Sequence, residues 1–129
     1  MNERNNKLKR SQYFPSMQPI DGLKLACIDA KISNDKKPDL MIARADPGSI
    51  ICGLFTKSQT RSAAVKWSER NLKKIPKADL PLGLIVNSGN ANVFTGTEGA
   101  EVVSSSAIIL ADALNSKPRN IFVASTGVI

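Results

Sequence analysis

The residues from Leu84 to Asn92 read LIVNSGNAN, a short apolar run that opens into small residues able to form hydrogen bonds. The residues from Ile121 to Gly127 read IFVASTG and repeat the same change of character. This pattern is typical of a buried strand that ends in a polar loop presenting backbone N–H groups. The most regular helical pattern of the chain lies between them. We therefore predict strand, polar loop, helix, strand and polar loop, with any chemistry at the two loops.

The helix between these loops has start and stop signals. Thr95 and Glu98 have the spacing of a capping box, in which two side chains satisfy the first free backbone N–H groups of a helix. Asn115 and Pro118 end the helical pattern, and the last strand is predicted at Ile121–Val123. One buried face is predicted from the apolar residues that recur at helical spacing: Val103, Ala107, Leu110, Ala111 and Leu114.

The first half of the chain has the pattern of a small antiparallel sheet. Apolar segments separated by turn signals predict strands at 23–30, 40–44 and 49–56, which form a meander, and a further strand at 82–86. A second, less regular helix is predicted from Ser62 to Lys73. It ends there because Pro76 prevents its continuation. The fold class is therefore α+β with a largely antiparallel sheet and two main helices. A doubly wound α/β domain is the competing reading, since the second half alone is β-α-β.

Length, composition and charge restrict the class of protein. The chain has 129 residues, 42% hydrophobic and 22% charged, which suits one globular domain. We predict a loosely ordered basic tail at 1–17 and the domain at 18–129. The formal net charge is +7, but no basic stripe is interleaved with aromatic residues, so nucleic acid is not an expected partner. No apolar run is long enough to cross a membrane and no secretory signal is present, so a cytoplasmic location is expected.

The reactive side chains exclude several kinds of site. The sequence contains no histidine, which excludes a Ser-His-Asp or Cys-His arrangement and histidine-ligated metals within these residues. Cys27 and Cys52 lie in apolar runs without the neighbours of a zinc site, so both are predicted to be buried thiols. No metal and no cofactor is therefore predicted. Nucleophilic chemistry would need a base other than histidine.

Two segments are candidates for a functional site by residue type. The loop from Asn87 to Thr95 runs into a helix N-terminus and could hold an anion, or it could be a tight loop whose Asn and Ser side chains bond its own backbone. Ser125-Thr126-Gly127 could be a simple turn, or an oxyanion hole in which the Thr126 hydroxyl and the Gly127 N–H point at one spot. The isolated carboxylates Asp39 and Asp46 are interpreted as turn formers.

Several motifs occur in the order and spacing of one known family. The two most specific are the Asn-Ser-Gly-Asn-Ala-Asn run and the Ser-Thr-Gly-Val-Ile at the end of the chain. The chain resembles the bifunctional ornithine acetyltransferase / glutamate N-acetyltransferase family of arginine biosynthesis over nearly everything after its first dozen residues. The motifs that carry the resemblance are Gly22-Leu23-Lys24, Gly53-Leu54-Phe55-Thr56, Arg61 with Ala63-Ala64-Val65, Asn87–Asn92 with Thr95-Gly96, and Ser125–Ile129.

The resemblance implies a fold and a reaction. Family members are layered α/β sandwiches, of which this chain would be the N-terminal part. They are made as precursors that cleave themselves before a threonine, and this threonine takes an acetyl group from N-acetylornithine, or in some members acetyl-CoA, and passes it to glutamate. The family's Thr-Gly oxyanion hole corresponds to Thr126 and Gly127. Paired α and β chains form a hetero-oligomer, and the nucleophilic threonine lies on the β chain.

Family precursors are much longer, and their nucleophilic threonine has no counterpart in these residues. The expectation is therefore an N-terminal fragment that supplies the oxyanion hole, lacks the nucleophile, and has no transferase activity alone. Two alternatives are an anion-binding module that uses the Asn87–Thr95 loop and an inactive remnant.

Overall fold

The fold is a four-stranded sheet with two helices. The computed structural model describes residues 18–32, 37–74 and 79–128; the predicted tail at 1–17 and the terminal Ile129 lie outside the described residues. The helices are α1 (Ala63–Leu72) and α2 (Gly96–Ala113), and a 3₁₀ turn covers Pro118–Asn120. The strands are β1 (Leu23–Ile28), β2 (Leu40–Ala45), β3 (Leu82–Asn90) and β4 (Ile121–Val128).

The strands follow their sequence order, β1-β2-β3-β4, across the sheet. The β1–β2 and β2–β3 pairs are antiparallel, whereas β3 and β4 are parallel because α2 carries the chain back between them. This arrangement confirms the predicted α+β class with a largely antiparallel sheet. The predicted β-α-β unit is present as one edge of that sheet.

The segment from Ser49 to Thr56 is not a strand, so this prediction is wrong. Ile51 packs against the small apolar cluster of Leu82 and Phe122, but Ile50 is 78% exposed and Leu54 is fully exposed. An apolar run forms a strand only where a neighbour offers hydrogen bonds. The free side of β2 is already taken by β3, which is therefore the third strand of the meander.

The strands β3 and β4 are longer than predicted, because they continue through the polar segments that were assigned to loops. Asn87 is in register with Ser125, and Gly89 with Gly127. The pairing of the two strands with each other overrides the weak strand preference of Asn and Gly. The loop before α2 therefore begins at Ala91 rather than at Asn87.

The core lies between the sheet and α2. Val103, Ala107, Leu110 and Ala111 are buried against Ile121 and Val123, and the partly buried Leu114 packs against this cluster, which confirms the predicted helix face. Gly83 allows the close approach of these layers, since a Cβ there would lie 2.7 Å from Cδ1 of Ile121. The position of β4 is thus set by its contacts on one face with α2.

The starts of the two helices differ from each other. Ser62 caps α1 by accepting a hydrogen bond from the Val65 N–H at 3.3 Å. Thr95 occupies the N-cap position of α2 as predicted, but its φ of −91° and ψ of 5° are not those of a capping residue, and its side chain makes no bond to the helix. The Thr95 hydroxyl donates instead to Oδ1 of Asn92 at 2.5 Å. The predicted capping box with Glu98 is therefore wrong.

Both cysteines are exposed, so the prediction that they are buried is wrong. Cys27 lies on β1, whose outer side has no neighbouring strand among the described residues, and Cys52 lies in the irregular segment before α1. Apolar neighbours in the sequence do not bury a side chain when too few other elements pack against its segment.

Candidate functional site

The outer edge of β4 is the setting of the predicted oxyanion pair. Val128 accepts a hydrogen bond from the Ala91 N–H at 3.0 Å, so its backbone carbonyl faces β3. In a parallel pair the backbone groups of alternate residues face the partner. Thr126 therefore bonds β3 through its backbone, whereas the backbone groups of Ser125 and Gly127 face away from it.

Helix α1 covers the first half of this outer edge. The Ser68 hydroxyl donates to the Val123 carbonyl at 2.8 Å and accepts from the Val123 N–H at 2.9 Å. Ile121 has two donors on its carbonyl, Nε1 of Trp67 at 2.8 Å and Nδ2 of Asn71 at 3.1 Å. These side chains take the place of a fifth strand over the first residues of β4.

The second half of the edge is open. Thr126 and Gly127 are both exposed, and within the described parts of the chain no hydrogen bond involves the Thr126 hydroxyl. Since side chains alternate along a strand, the Thr126 side chain lies on the same face of the sheet as Phe122. Thr126 and Gly127 are thus exposed next to each other at one edge of the sheet.

Gly127 has a backbone that other residues would not tolerate. Its φ is +133°, and a Cβ at this position would lie 2.4 Å from the carbonyl carbon of Gly89 and 2.6 Å from the Asn90 nitrogen. Only glycine fits both the dihedral angle and the contact. The glycine is therefore required for the close pairing of β3 and β4 at this point, whatever its chemical role.

The Asn87–Thr95 segment satisfies its own polar groups. Asn87 Nδ2 donates to the Asn90 carbonyl at 2.9 Å, and Asn90 Oδ1 accepts from the Asn92 N–H at 2.7 Å. Asn92 Nδ2 donates to the Gly99 carbonyl at 3.1 Å, so the loop is bonded to the first turn of α2. These bonds agree with the interpretation of this segment as a loop that bonds its own backbone, which was one of the two predicted alternatives.

The two predicted sites lie on opposite faces of the sheet. A cavity of about 500 Å³ between the sheet and the start of α2 is lined by the loop and, on β4, by Val123 and Ser125. Thr126 follows Ser125 and therefore faces the other way. The Thr126 side chain and this cavity therefore lie on opposite faces of the sheet, although the backbone of Gly127 contacts Gly89 and Asn90 of the Asn87–Thr95 segment.

Ion pairs join Glu69, in the second half of α1, to residues on both sides of the helix. Glu69 pairs with Nη1 of Arg61 at 2.6 Å and with Nζ of Lys73 at 3.2 Å. The hydrogen bond from Lys73, together with the charges of Lys73 and Arg61, lowers the pKa of Glu69 below its ordinary value, and partial desolvation opposes this shift.

The carboxylate of Asp39 joins the ends of β1 and β2. It is buried and accepts hydrogen bonds from the N–H groups of Ala30 and Ile32, both at 2.6 Å. Asp46 lies in the turn after β2, as predicted, and its backbone carbonyl accepts a hydrogen bond from the Ser49 N–H at 3.2 Å. Over the described ranges, no group of three or more Cys, Asp or Glu residues could hold a metal ion.

Sequence reasoning missed two residues that shape this region. Ser68 has the sequence context of an ordinary polar residue of a helix. The one feature that could have indicated its contact with β4 is its position three residues before Asn71, on the same face of the helix. Gly99 lies within a helical pattern, where glycine is unfavourable. A Cβ at Gly99 would lie 1.8 Å from Oγ1 of Thr95, so this glycine makes room for the loop. An internal helix glycine was therefore the signal for a close contact.

A family comparison identifies the relatives of this chain. The model of the ArgJ family matches residues 24–129. The chain belongs to the ArgJ family. The Arginine biosynthesis bifunctional protein ArgJ of Nitrobacter winogradskyi is 41% identical over 115 residues, which are 89% of this chain and 28% of that protein. ArgJ of Brucella melitensis biotype 1 is 40% identical over 118 residues, 92% of this chain and 28% of that protein. The chain thus spans little more than a quarter of the curated ArgJ proteins.

Solved structures of the ArgJ family have the same fold. The crystal structure of ArgJ from Bacillus halodurans matches 84% of this chain and 55% of that chain with a TM-score of 0.76 at 24% identity, which supports the fold alone. The structure of ornithine acetyltransferase from Mycobacterium tuberculosis, complexed with ornithine, matches 84% of this chain and 57% of that chain with a TM-score of 0.74 at 28% identity. The fold class and the family that the motifs indicated are confirmed. No helix in the described part of the chain is long and apolar enough to cross a membrane.

Proposed function

We propose that this chain is the N-terminal segment of an acetyltransferase that moves an acetyl group from N-acetylornithine to glutamate. In this proposal the chain supplies an oxyanion hole made by the Thr126 hydroxyl and the Gly127 N–H. A downstream β chain supplies the nucleophilic threonine, and the two form a hetero-oligomer. The observation that supports the proposal is the second half of the β4 edge, where the two neighbouring residues that carry these donors are exposed.

The reaction has two similar halves. The threonine hydroxyl attacks the acetyl carbonyl of N-acetylornithine, and the carbonyl oxygen becomes negative in the tetrahedral intermediate. The intermediate collapses by breaking the C–N bond, so that ornithine leaves with a proton on its amine and an acetyl-threonine ester remains. The amine of glutamate then attacks the ester carbonyl and releases the threonine hydroxyl. An amine close to the threonine can act as the base, so no histidine is needed.

The role of the two donors follows from charge. They form stronger hydrogen bonds to an oxyanion than to a neutral carbonyl oxygen, so they stabilise the transition state more than the bound substrate. The Gly127 N–H is held in place before the reaction, because Thr126 pairs with β3 through its backbone and Gly127 is restrained by Gly89. Fixed donors need no reorganisation as the charge develops.

A chimera tests this proposal. This chain replaces the corresponding 28% of the Nitrobacter winogradskyi ArgJ protein, and transfer of acetyl from N-acetylornithine to glutamate is measured. We expect transfer by the chimera and none by the 129-residue chain alone. A folded chimera without activity, or activity of the isolated chain, would contradict the proposal.

The residue-level test is Thr126→Val in the chimera. Valine keeps the shape of threonine and removes the hydroxyl, so kcat should fall by about 10²- to 10³-fold, the usual effect of losing one oxyanion donor. Thr126→Ser keeps the hydroxyl and is the matched control, which should retain most of the activity. Equal rates for the valine and serine variants would exclude Thr126 from the oxyanion hole.

A further inference from the structure

Helix α1 and the outer edge of β4 suggest a role for a side chain that no motif identified. Ser68 is 6% exposed, and its hydroxyl bonds both backbone groups of Val123. One hydroxyl can donate one bond and accept others, so a single side chain supplies what a neighbouring strand would supply at that residue. This contact fixes the position of Val123 in the plane of the sheet.

The same helix stops supplying hydrogen bonds where the open edge begins. α1 runs against β4 in the opposite direction, since Asn71 bonds Ile121 and Ser68 bonds Val123. One turn further toward the helix N-terminus stands Ala64, which is buried and has no polar atom on its side chain. Among the described residues, Ser68 therefore makes the last side-chain hydrogen bonds to the outer edge of β4 before Gly127.

We infer that Ser68 is a positioning residue for the Thr126–Gly127 pair, acting through Val123. This inference rests on the proposed function for its catalytic consequence, but its structural part does not. The second half of β4 has one neighbouring strand, β3, among the described residues. Its other side is anchored at Val123, so loss of the Ser68 bonds frees the strand to twist away from β3 at residues 124–128.

The structural part is tested by amide hydrogen exchange on the 129-residue chain. In Ser68→Ala we expect the Val123 amide to exchange at least about tenfold faster, because its acceptor is gone. The Val128 amide, which faces β3, should also exchange faster, while Ile42 in the centre of the sheet serves as the reference. Alanine favours helix more than serine does, so a lower intrinsic helix propensity of α1 does not account for this result.

Asn71→Ala is the matched control, because it lies on the same helix and bonds the same strand. The Ile121 carbonyl keeps its bond from Trp67 in this variant. We expect the Val128 amide to exchange at the unchanged rate relative to Ile42. An equal rise at Val128 in both variants, or a uniform rise over the sheet in Ser68→Ala, would overturn the positioning role.

Two further variants keep the test decisive. Ser68→Thr retains the hydroxyl and should restore slow exchange at Val123 and Val128. If Ser68→Ala does not fold, Ser68→Cys replaces it, since a thiol has similar size and forms weak hydrogen bonds. Normal exchange at Val128 in a folded Ser68→Cys variant would also overturn the inference.

The catalytic consequence is measured in the chimera. Ser68→Ala should lower kcat by about tenfold with little change in KM, because misplaced donors weaken transition-state stabilisation more than substrate binding. Ser68→Thr should recover the rate and Asn71→Ala should not lower it. If exchange at Val128 rises but kcat is unchanged by both Ser68→Ala and Thr126→Val, the proposed function fails and the positioning of β4 stands. If Thr126→Val is inactive while Ser68→Ala leaves exchange and kcat unchanged, the positioning role fails alone.

Discussion

The C-terminal ends of β3 and β4 have similar sequences, but their polar groups differ in hydrogen bonding. At the β3 end (Asn87–Asn92) three asparagine side chains bond the local backbone or the first turn of α2. At the β4 end (Ser125–Gly127), Thr126 and Gly127 are exposed and Ser125 is partly exposed. Asn side chains carry both donors and an acceptor and here close the β3 end on itself, whereas the Thr126 hydroxyl at the β4 end makes no such bond within the described residues. Small polar residues after an apolar strand therefore do not by themselves indicate a binding site.

Among variants at these two strand ends, the largest loss of stability is expected from Gly127→Ala at the β4 end. The new Cβ would contact the Gly89 backbone at 2.4 Å, and the φ of +133° is unfavourable for alanine. Together the clash and the dihedral strain should lower the free energy of unfolding by about 3 kcal/mol. Chemical denaturation measures this loss.

Gly48→Ala is the control for that prediction, because Gly48 also has a positive φ but no atom within 4 Å of a new Cβ. It should cost about 1 kcal/mol, from the dihedral strain alone. Equal losses for the two variants would show that the close approach of β3 and β4 contributes nothing.

A smaller effect is expected from Gly99→Ala, which acts on the β3 end. Alanine favours a helix by about 1 kcal/mol over glycine. The Cβ would nevertheless lie 1.8 Å from Oγ1 and 2.7 Å from Cβ of Thr95, so the loop must move. We expect a net loss of about 2 kcal/mol in the free energy of unfolding. Thr95→Gly combined with Gly99→Ala should recover part of it, and strict additivity of the two changes would contradict the contact.

The direct comparison of the two ends is Asn92→Ala against Thr126→Val. Asn92 bonds Thr95 and Gly99, so its truncation should cost about 1 to 2 kcal/mol. Thr126 has an exposed hydroxyl with no partner in the described residues, so Thr126→Val should change stability by less than about 0.5 kcal/mol. Thermal unfolding of the two variants measures both values. A large loss for Thr126→Val would mean that its hydroxyl has a structural role.

The smallest effect concerns the ion pairs of Glu69 on α1, which join it to Arg61 before the helix and to Lys73 at its C-terminal end. Because the pKa of Glu69 is lowered by Lys73 and Arg61 in the folded chain, its carboxylate stabilises the fold above the unfolded pKa of about 4.3. This contribution is lost as the pH falls through the folded pKa. Glu69→Gln should therefore be slightly less stable than the parent at neutral pH and equally stable at acid pH. A difference that persists at acid pH would contradict this sign.

Much of the fold could be predicted because the responsible signals are local. Helix α2 was placed from the spacing of Val103, Ala107 and Leu110, and β1 and β2 from short apolar runs between turns. The family motifs added the identity of the relatives. These signals depend on residues a few positions apart, which a sequence displays directly.

Apart from the capping box at Thr95 and Glu98, the errors concern contacts between distant segments. The run Ser49–Thr56 has a strand-like composition but no free sheet edge beside it. The strands β3 and β4 continue through Asn, Ser and Gly because they pair with each other, and no local pattern shows that pairing. At the candidate site, Thr126 and Gly127 stay predictions from the resemblance. Ser68 was not found because its partner is 55 residues away.

The contact between Trp67 and Ile121 has a practical consequence. This is the only tryptophan in the sequence, and its indole N–H is bonded to the first residue of β4. Its fluorescence emission therefore reports on the contact between α1 and the sheet without any added label. A red shift that precedes the loss of helical circular dichroism during denaturation would show that α1 detaches from the sheet before it melts.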